Sequence, residues 1–200
     1  MKLSNLFITG CDSKTRWQLD WFTENFYNHN PTANLAVYDF DKSFEAFDGW
    51  FKKPAAMVDA SRRASKVCWL DTDCEVLGPL DSIWEHSQPN KLSMVEDIPW
   101  SKRRGETWHN SGVVLFENRP NILDEWYQAV KSNPSVGDQE VLHELVKEGL
   151  RRDIHIHSMP VKYNVLRLMI LDGINPPDTL IRHHTGAKGN QHIKRLIENV

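Results

Sequence analysis

The chain has 200 residues, of which 40% are hydrophobic and 26% are charged, and its formal net charge at pH 7 is −3. This size and composition fit one globular domain with a substantial core, and the slightly acidic balance argues against nucleic acid or an anionic membrane as a partner. No apolar run approaches membrane-spanning length, and the N-terminus has no secretory h-region, so no transmembrane segment is expected.

Predicted strands and helices alternate along the first part of the chain. Short apolar runs predict strands at 6–10, 35–39 and 67–70. A helix beginning near Trp17 is ended by Asn30-Pro31. Pro54 suits the first turn of a second helix, predicted to run to about 64.

The alternation continues in the second part of the chain. Further strands are predicted at 92–95, 112–116, 154–157 and 179–182, and helices at 121–132, at 138–149 and at the C-terminus. This order predicts an α/β fold with a mostly parallel central sheet flanked by helices. His155 and His157 would share one face of a strand, and a solvent-facing edge strand explains them better than a metal site.

The three cysteines indicate the redox environment. Cys11, Cys68 and Cys74 contain no Cys-x-x-Cys pair, so neither a disulfide framework nor a zinc knuckle is indicated. We therefore expect a soluble protein of a reducing compartment, the cytoplasm, or the host cytoplasm for a virus-encoded chain.

An acidic pair, Asp71 and Asp73, follows the predicted strand at 67–70. Ligands of open α/β sheets bind beyond the carboxyl ends of the strands, and paired carboxylates there suit a hard divalent cation. A bare Asp-x-Asp is expected about once by chance in a chain of this composition, and Asp39-Phe40-Asp41 is a second example. Turn carboxylates that cap backbone amides are the alternative interpretation.

The run from Val67 to Val76 resembles the metal-binding Asp-x-Asp strand of GT-A fold glycosyltransferases, especially glycosyltransferase family 8 and its relatives. Three further segments resemble that family's motifs and occur in its order. They are Asn110-Ser111-Gly112-Val113-Val114-Leu115-Phe116, Gly137-Asp138-Gln139-Glu140 and His183-His184-Thr185-Gly186-Ala187-Lys188. The resemblance runs from the first strand almost to the end of the chain.

The resemblance implies a single GT-A (Rossmann-like) domain over 1–200, with the nucleotide bound by about 1–75 and the donor sugar and acceptor by about 76–200. It implies Mn²⁺ or Mg²⁺ held by Asp71, Asp73 and His183. Combined with position at the strand ends, it predicts a set of donor-binding residues. These are Thr9, Gly10, Cys11, Asp39, Lys53, Asp71, Thr72, Asp73, Asn110, Ser111, His183, Gly186 and Lys188.

The residues expected at the reacting sugar are Asp97, Asp138 and Gln139, which would orient it together with Asn110. Family 8 implies retention of anomeric configuration without an obvious enzymatic base. An inverting reaction would need a carboxylate to deprotonate the acceptor, and Asp97 or Asp138 could serve. For Asp138, capping a helix is the structural alternative.

The last motif departs from the family pattern. Lys188 lies five residues after His183 where the family has six, and Gly189-Asn190 replaces Pro-Trp. His184 therefore remains an alternative metal ligand. Because the chain is shorter than most members of the family, other domains or subunits could contribute to acceptor binding.

The sequence thus predicts a metal-dependent enzyme that transfers a sugar from a UDP-sugar to a glycan or glycoprotein acceptor. A non-catalytic module that binds sugar nucleotides or glycans is the main alternative. A phosphatase of the haloacid-dehalogenase type is disfavoured because Glu75 stands where that class has Thr or Val and no Asp-Asp pair follows. A nucleotidyltransferase is disfavoured because residues 9–14 form no glycine-rich basic loop.

Overall fold

The structure is a computed structural model that describes residues 2–42 and 52–198. Its strands are β1 (Leu3–Cys11), β2 (Leu35–Asp39), β3 (Ala64–Leu70), β4 (Cys74–Val76), β5 (Leu92–Glu96), β6 (His109–Glu117), β7 (Ile156–Ser158), β8 (Val165–Leu166) and β9 (Ile181–His183). Its α-helices are α1 (Leu19–His29), α2 (Lys53–Ala60), α3 (Ile98–Arg104), α4 (Asn121–Ser132), α5 (Asp138–Val146), α6 (Arg151–His155), α7 (Arg167–Leu171) and α8 (Gly186–Glu198).

A six-stranded sheet in the order β2-β1-β3-β6-β5-β7 forms the middle layer. Only β6 runs against its neighbours in this sheet of the described chain, so the mostly parallel sheet predicted from the strand–helix alternation is confirmed. The carboxyl ends of β1, β2 and β3 consequently meet at one edge of the layer, where α/β sheets bind their ligands.

Each face of the sheet carries its own hydrophobic core. Side chains of β3 alternate between the two, since Val67 and Trp69 join the core under α2, α4 and α5. Cys68 and Leu70 join the opposite core, which contains Phe22 of α1. This burial on both faces explains why β3 reads as a continuous apolar run.

A small second sheet, in the order β4-β9-β8, connects the segment after β3 to the late part of the chain. Strand β4 pairs antiparallel with β9, and Cys74 stands opposite His183. The N–H of His184 donates to the carbonyl of Asp73 at 3.0 Å. This pairing brings the residues after β3 together with the late segment around His183.

Two predicted elements end or begin elsewhere. The helix predicted to reach 64 ends at Ala60, because Ser61 to Arg63 form a turn and Ala64 already begins β3. The strand predicted at 154–157 is wrong in its first half. His155 is the last residue of α6, whereas His157 lies in β7, so the two histidines do not share a strand face.

The remaining boundaries differ little. The helix predicted at 138–149 ends at Val146, and the C-terminal helix α8 has 13 residues. Across residues 2–42 and 52–198, no helix combines the length and apolar character that crossing a membrane requires.

Candidate active site

A cavity of about 400 Å³ lies beyond the ends of β1 and β3. Gly10 lines it from the end of β1, Asp71 and Asp73 from the loop after β3, Lys53 from the start of α2, and Asn190 from α8. The cavity occupies the position that the parallel strand order predicts for a ligand site.

Asp73 and His183 are in direct contact at this cavity, although 110 residues separate them in the chain. The Nε2 atom of His183 lies 3.0 Å from Asp73 Oδ1 and 3.9 Å from Asp71 Oδ2. Carboxylate oxygens and an imidazole nitrogen are donors that Mn²⁺ and Mg²⁺ accept. The predicted ligands Asp71, Asp73 and His183 are therefore brought together.

Among the described residues, the group whose ligand atoms lie close enough together to hold one metal ion is Asp73, Cys74 and His183. Burial raises the pKa of the Cys74 thiol well above its usual value, and its Sγ lies 3.9 Å from the Gly112 carbonyl oxygen. The potential ligands around His183 thus include a buried sulfur besides carboxylate oxygens.

His184, the alternative ligand, is occupied elsewhere. Its Nε2 atom lies 3.0 Å from Glu75 Oε2, and its ring lies against His192 with the centroids 4.8 Å apart. The geometry therefore favours His183 as the histidine that faces the acidic pair.

Lys53 is a buried cation whose Nζ lies 2.9 Å from Asp71 Oδ1 and 3.2 Å from Asp138 Oδ2. It also donates to the carbonyl of Ser111 at 3.1 Å. Burial alone would lower the pKa of Lys53, but the carboxylates of Asp138 and Asp71 outweigh burial and raise it. Lys53 therefore stabilises these two carboxyl groups, and its side chain is only 4% exposed.

Asp71 is held from two sides. Trp69 Nε1 donates to its Oδ1 at 2.6 Å, and Lys53 contacts the same carboxyl group. Burial nevertheless raises the pKa of Asp71, with Lys53 opposing that rise. The carboxyl groups of Asp71, Asp73 and Asp138 thus lie near a single lysine. This excess of negative charge suits a divalent cation.

The residues expected at the donor sugar form one connected group. Asn110 Nδ2 donates to Gln139 Oε1 at 3.0 Å, and the Ser111 hydroxyl donates to Asp138 Oδ2 at 3.0 Å. Asp138 does not cap α5, because Gly137 is the capping residue and the Asp138 carboxyl points to Lys53 and Ser111. The capping interpretation of Asp138 is wrong.

Asp97 accepts a hydrogen bond from the Trp100 N–H at 3.1 Å and so caps α3. Burial raises the pKa of its carboxyl group, against hydrogen bonds from Trp100, Gln139 and Asn110. Asp97 is therefore turned towards the same amides that the sequence analysis placed at the donor sugar.

Several predicted donor-binding residues lie around the cavity entrance or away from it. Gly10 packs on the Phe40 ring, and a β-carbon there would lie 2.5 Å from that ring. Asp39 is paired with Arg16 at 2.6 Å and does not line the cavity. Thr9 and Cys11 are buried.

On the α8 side of the cavity, Gly186 and Thr72 are part of the lining. Lys188 lies exposed on α8 outside the lining. Its predicted place among the donor-binding residues therefore has no support from the lining of the cavity.

Two buried polar residues at the site were not selected from the sequence. Gln18 accepts from Thr72 Oγ1 at 2.8 Å and donates to Asn190 Oδ1 at 2.9 Å, which joins α8 to the loop after β3. Asn164 lies 3.0 Å from His183 Nδ1. Neither residue belongs to a motif or an apolar periodicity, so no sequence signal marks them.

The contact of Asp73 with His183 shifts both pKa values. Burial would lower the pKa of His183, but Asp73 and Asp71 outweigh it and hold that pKa above its usual value. Burial would raise the pKa of Asp73, but His183 holds it below its usual value. Since the unfolded values are about 3.9 for aspartate and about 6.5 for histidine, the pair stabilises the metal-free fold fully between those two pH values.

We expect this pair to give the metal-free protein a pH-dependent stability that His183→Gln removes. The stabilisation should be lost as the pH rises through the raised pKa of His183, and again as it falls through the lowered pKa of Asp73. Urea unfolding of both proteins across this range, in EDTA, measures the difference. His157→Gln is the control, because burial lowers the pKa of His157 and its contribution should grow with pH. A constant difference between His183→Gln and the wild type would contradict the expectation.

No protein-family model matches the sequence, and no curated protein matches it. Solved structures do match. A glycosyltransferase involved in the glycosylation of the major capsid of PBCV-1 aligns with a TM-score of 0.70 at 16% identity, over 96% of this chain and 99% of that one. The galactosyltransferase LgtC, in complex with donor and acceptor sugar analogs, aligns with a TM-score of 0.66 at 14% identity, over 98% and 96% of the two chains.

The glycosyltransferase GlyE of Streptococcus pneumoniae TIGR4 also aligns, with a TM-score of 0.66 at 18% identity. That alignment covers 92% of this chain but only 55% of GlyE. At such identities the likeness establishes architecture. Assignment to family 8 in particular remains a prediction. The chain has the GT-A fold of glycosyltransferases, as its Asp-x-Asp strand and later motifs predicted.

Proposed function

We propose that this protein is a metal-dependent glycosyltransferase that moves a sugar from a UDP-sugar to a glycan or glycoprotein acceptor with retention of configuration. The observation that carries the proposal is the 3.0 Å contact of His183 with Asp73 at the cavity. The proposal is also supported by a fold shared with glycosyltransferases and by Asp71 Oδ2, which lies 3.9 Å from the same histidine nitrogen.

In this proposal, Asp71, Asp73 and His183 hold Mn²⁺ or Mg²⁺. When bound, the metal would supply the positive charge that stabilises the departing diphosphate. Lys53 keeps the carboxyl groups of Asp71 and Asp138 in place, because its ammonium is enclosed by both. Because these carboxyl groups are already in position before the substrate binds, the site needs less rearrangement during the reaction.

The nucleotide would bind to the part of the chain formed by about 1–75. Gly10, Asp12, Lys14 and Thr15 line the outer part of the cavity. Lys14 is exposed there, and no ion pair of its ammonium is found within 2–42 and 52–198, so it can reach a phosphate or ribose oxygen. It is therefore a better candidate for a phosphate contact than Lys53 or Lys188.

The donor sugar would lie against Asn110, Gln139 and Asp97, in the part formed by about 76–200. The arrangement of carboxylates supports retention. Asp138 is already paired with Lys53 and Ser111, and Asp97 caps α3, so neither is free to deprotonate an acceptor. The acceptor is proposed only as a glycan or glycoprotein hydroxyl.

The test begins with a thermal-shift screen of sugar nucleotides with Mn²⁺ and with EDTA. A donor that stabilises the protein only with metal would identify the base and the sugar. Transfer or hydrolysis of that donor is then compared between wild type and Asp73→Ala. The expected result is activity that EDTA and Asp73→Ala each abolish.

The matched control is Asp41→Ala, because Asp41 belongs to the second Asp-x-Asp and its side chain is 44% exposed beside Arg16. Its activity should equal that of the wild type. Full activity without metal, or in Asp73→Ala, would refute the proposed mechanism. Metal-dependent binding of UDP without turnover of any donor would instead support the non-catalytic module.

A further inference from the structure

Helix α3 ends in three successive cations, Lys102, Arg103 and Arg104, and all three are exposed. None of them forms an ion pair with a carboxylate of the described residues. Glu106, the acid nearest to them in sequence, faces His143 instead, with its Oε1 3.2 Å from the imidazole Nε2. The positive charge at the end of α3 therefore remains available to an anionic ligand.

The guanidinium group of Arg104 is held in place by tryptophan rings. It lies 4.9 Å from the ring centre of Trp100 and 5.9 Å from that of Trp108. Trp108 is itself fixed, because its ring stacks on the imidazole of His143 with the centroids 3.6 Å apart. Arg103 also lies over Trp100, at 5.9 Å. Contact with a ring orients a guanidinium group without using its N–H donors, so these donors can bind a carboxylate or phosphate through two hydrogen bonds.

The same helix begins at the proposed donor-sugar site. Asp97 caps α3 by accepting from the Trp100 N–H at 3.1 Å, and Gln139 and Asn110 direct hydrogen bonds at the Asp97 carboxyl group. The Asp97 N–H donates to the Trp108 carbonyl at 2.9 Å, which joins α3 to the segment before β6. Since a helix rises about 1.5 Å per residue, the cations at the end of α3 lie about 10 Å along the helix from the residues expected at the reacting sugar.

A fourth cation lies beside Gln139. Arg152 of α6 borders one small depression together with Gln139 and His109. The acidic partner of Arg152 is weak, since Asp153 Oδ1 lies 3.9 Å away and the Asp153 side chain is 74% exposed. Burial, and then the charge of Arg152, lower the pKa of His109 to about 4. Gln139, which contacts the donor-sugar residue Asn110, thus also borders a second source of positive charge.

We propose that the C-terminal part of α3 binds the acceptor, and that this acceptor is a glycan bearing a carboxylate or phosphate group. The α3 surface, as we call this region, is formed by Trp100, Lys102, Arg103 and Arg104. The inference rests on the proposed function, because the acceptor is the molecule to which that function transfers the sugar. A glycan with an acidic group fits better than a nucleic acid, because the whole chain carries a net charge of −3 and the cations form one small group.

The first test measures glycan binding without any donor sugar. The protein is applied, with and without UDP and Mn²⁺, to an array of glycans that bear carboxylate or phosphate groups, each beside its neutral counterpart. We expect the acidic glycans to be retained over the neutral ones. Their affinity should fall about 10-fold or more in Arg104→Gln, as for loss of a hydrogen bond to a charged group. Equal binding of acidic and neutral glycans, no binding of any glycan in either condition, or tighter binding of an oligonucleotide would overturn the proposal.

Lys131→Gln is the matched control for this experiment. Lys131 of α4 is also exposed, and its Nζ lies 5.6 Å from the ring centre of Tyr127. The control therefore removes the same charge from another cation that lies over an aromatic ring. It should bind acidic glycans as the wild type does. Equal losses in Arg104→Gln and Lys131→Gln would reflect the total charge of the protein and would overturn the proposal.

Transfer kinetics then test whether the α3 surface serves the acceptor. With the donor found by the thermal-shift screen and an acidic glycan from the array, Arg104→Gln should raise the KM for the acceptor about 10-fold or more and leave kcat and the KM for the donor unchanged. An unchanged KM for the acidic acceptor would overturn this inference but not the proposed function. If no donor is turned over, the proposed function fails and the acceptor role fails with it, while the array still decides whether the α3 surface binds acidic glycans.

Discussion

Replacing Lys53 by methionine is expected to lower the free energy of unfolding by about 3–5 kcal/mol at neutral pH. The side chain of Lys53 is 4% exposed, and its ammonium lies within 3.2 Å of carboxylate oxygens of both Asp71 and Asp138. Methionine fills much of the same volume but leaves both carboxyl groups without their cation. A buried charge that loses its partner costs more than the ion pair contributed, because water cannot replace the missing contact.

Urea unfolding in EDTA measures this loss. The difference between Lys53→Met and wild type should shrink as the pH falls, because protonation removes the uncompensated negative charge. Lys66→Met is the control. Its side chain is 34% exposed, its ammonium lies 4.0 Å from Glu117, and a pair of that kind contributes about 1 kcal/mol or less. Similar losses in the two variants would show that Lys53 is not the cation that holds this site together.

Gly112→Ala is expected to displace His183 and so to disrupt the candidate metal site from the opposite side. A β-carbon on Gly112 would lie 2.0 Å from His183 Cε1 and 2.5 Å from its Nδ1. Since atoms cannot approach so closely, either the imidazole or strand β6 must shift. We expect Mn²⁺ affinity in the presence of UDP to fall about 10–100-fold, as for loss of an outer partner, and stability to fall by about 1–3 kcal/mol.

Gly78→Ala is the matched control for this prediction. The nearest atom to its added β-carbon is Leu180 Cδ2 at 2.9 Å, at the end of a flexible side chain. That side chain can move, so Mn²⁺ affinity should be unchanged. Calorimetry and urea unfolding of both variants check the two expectations. If Gly112→Ala bound Mn²⁺ with wild-type affinity, the close approach of His183 to β6 would not be needed for metal binding.

The elements predicted best from the sequence are those with strong local signals. The helix predicted at 121–132 has those bounds in the structure, because Pro120 precedes it and Asn133 ends it. The buried run of β3 was equally clear. The short strands β4 and β8 were not predicted, since two or three residues hold no periodicity and their pairing with β9 is tertiary.

The segment around 154–157 shows where local patterns mislead. Ile154 and Ile156 alternate with histidines as in a strand, yet Ile154 is 56% exposed in α6 and only Ile156 enters the core. Lys53 was expected among the donor-binding residues, at the start of a predicted helix. Its burial between two carboxyl groups depends on β6 and α5, which are far away in sequence.

The sequence alone determined the order of strands and helices and placed Asp71 and Asp73 at the end of a buried strand. Local apolar patterns and turn residues suffice for that. Only the tertiary structure decided whether His183 or His184 contacts this pair. The register of β9 against β4 sets His183 opposite Cys74, and a shift of one residue would turn the neighbouring side chain to that face. Such a register depends on contacts between segments about 110 residues apart, which no local pattern contains.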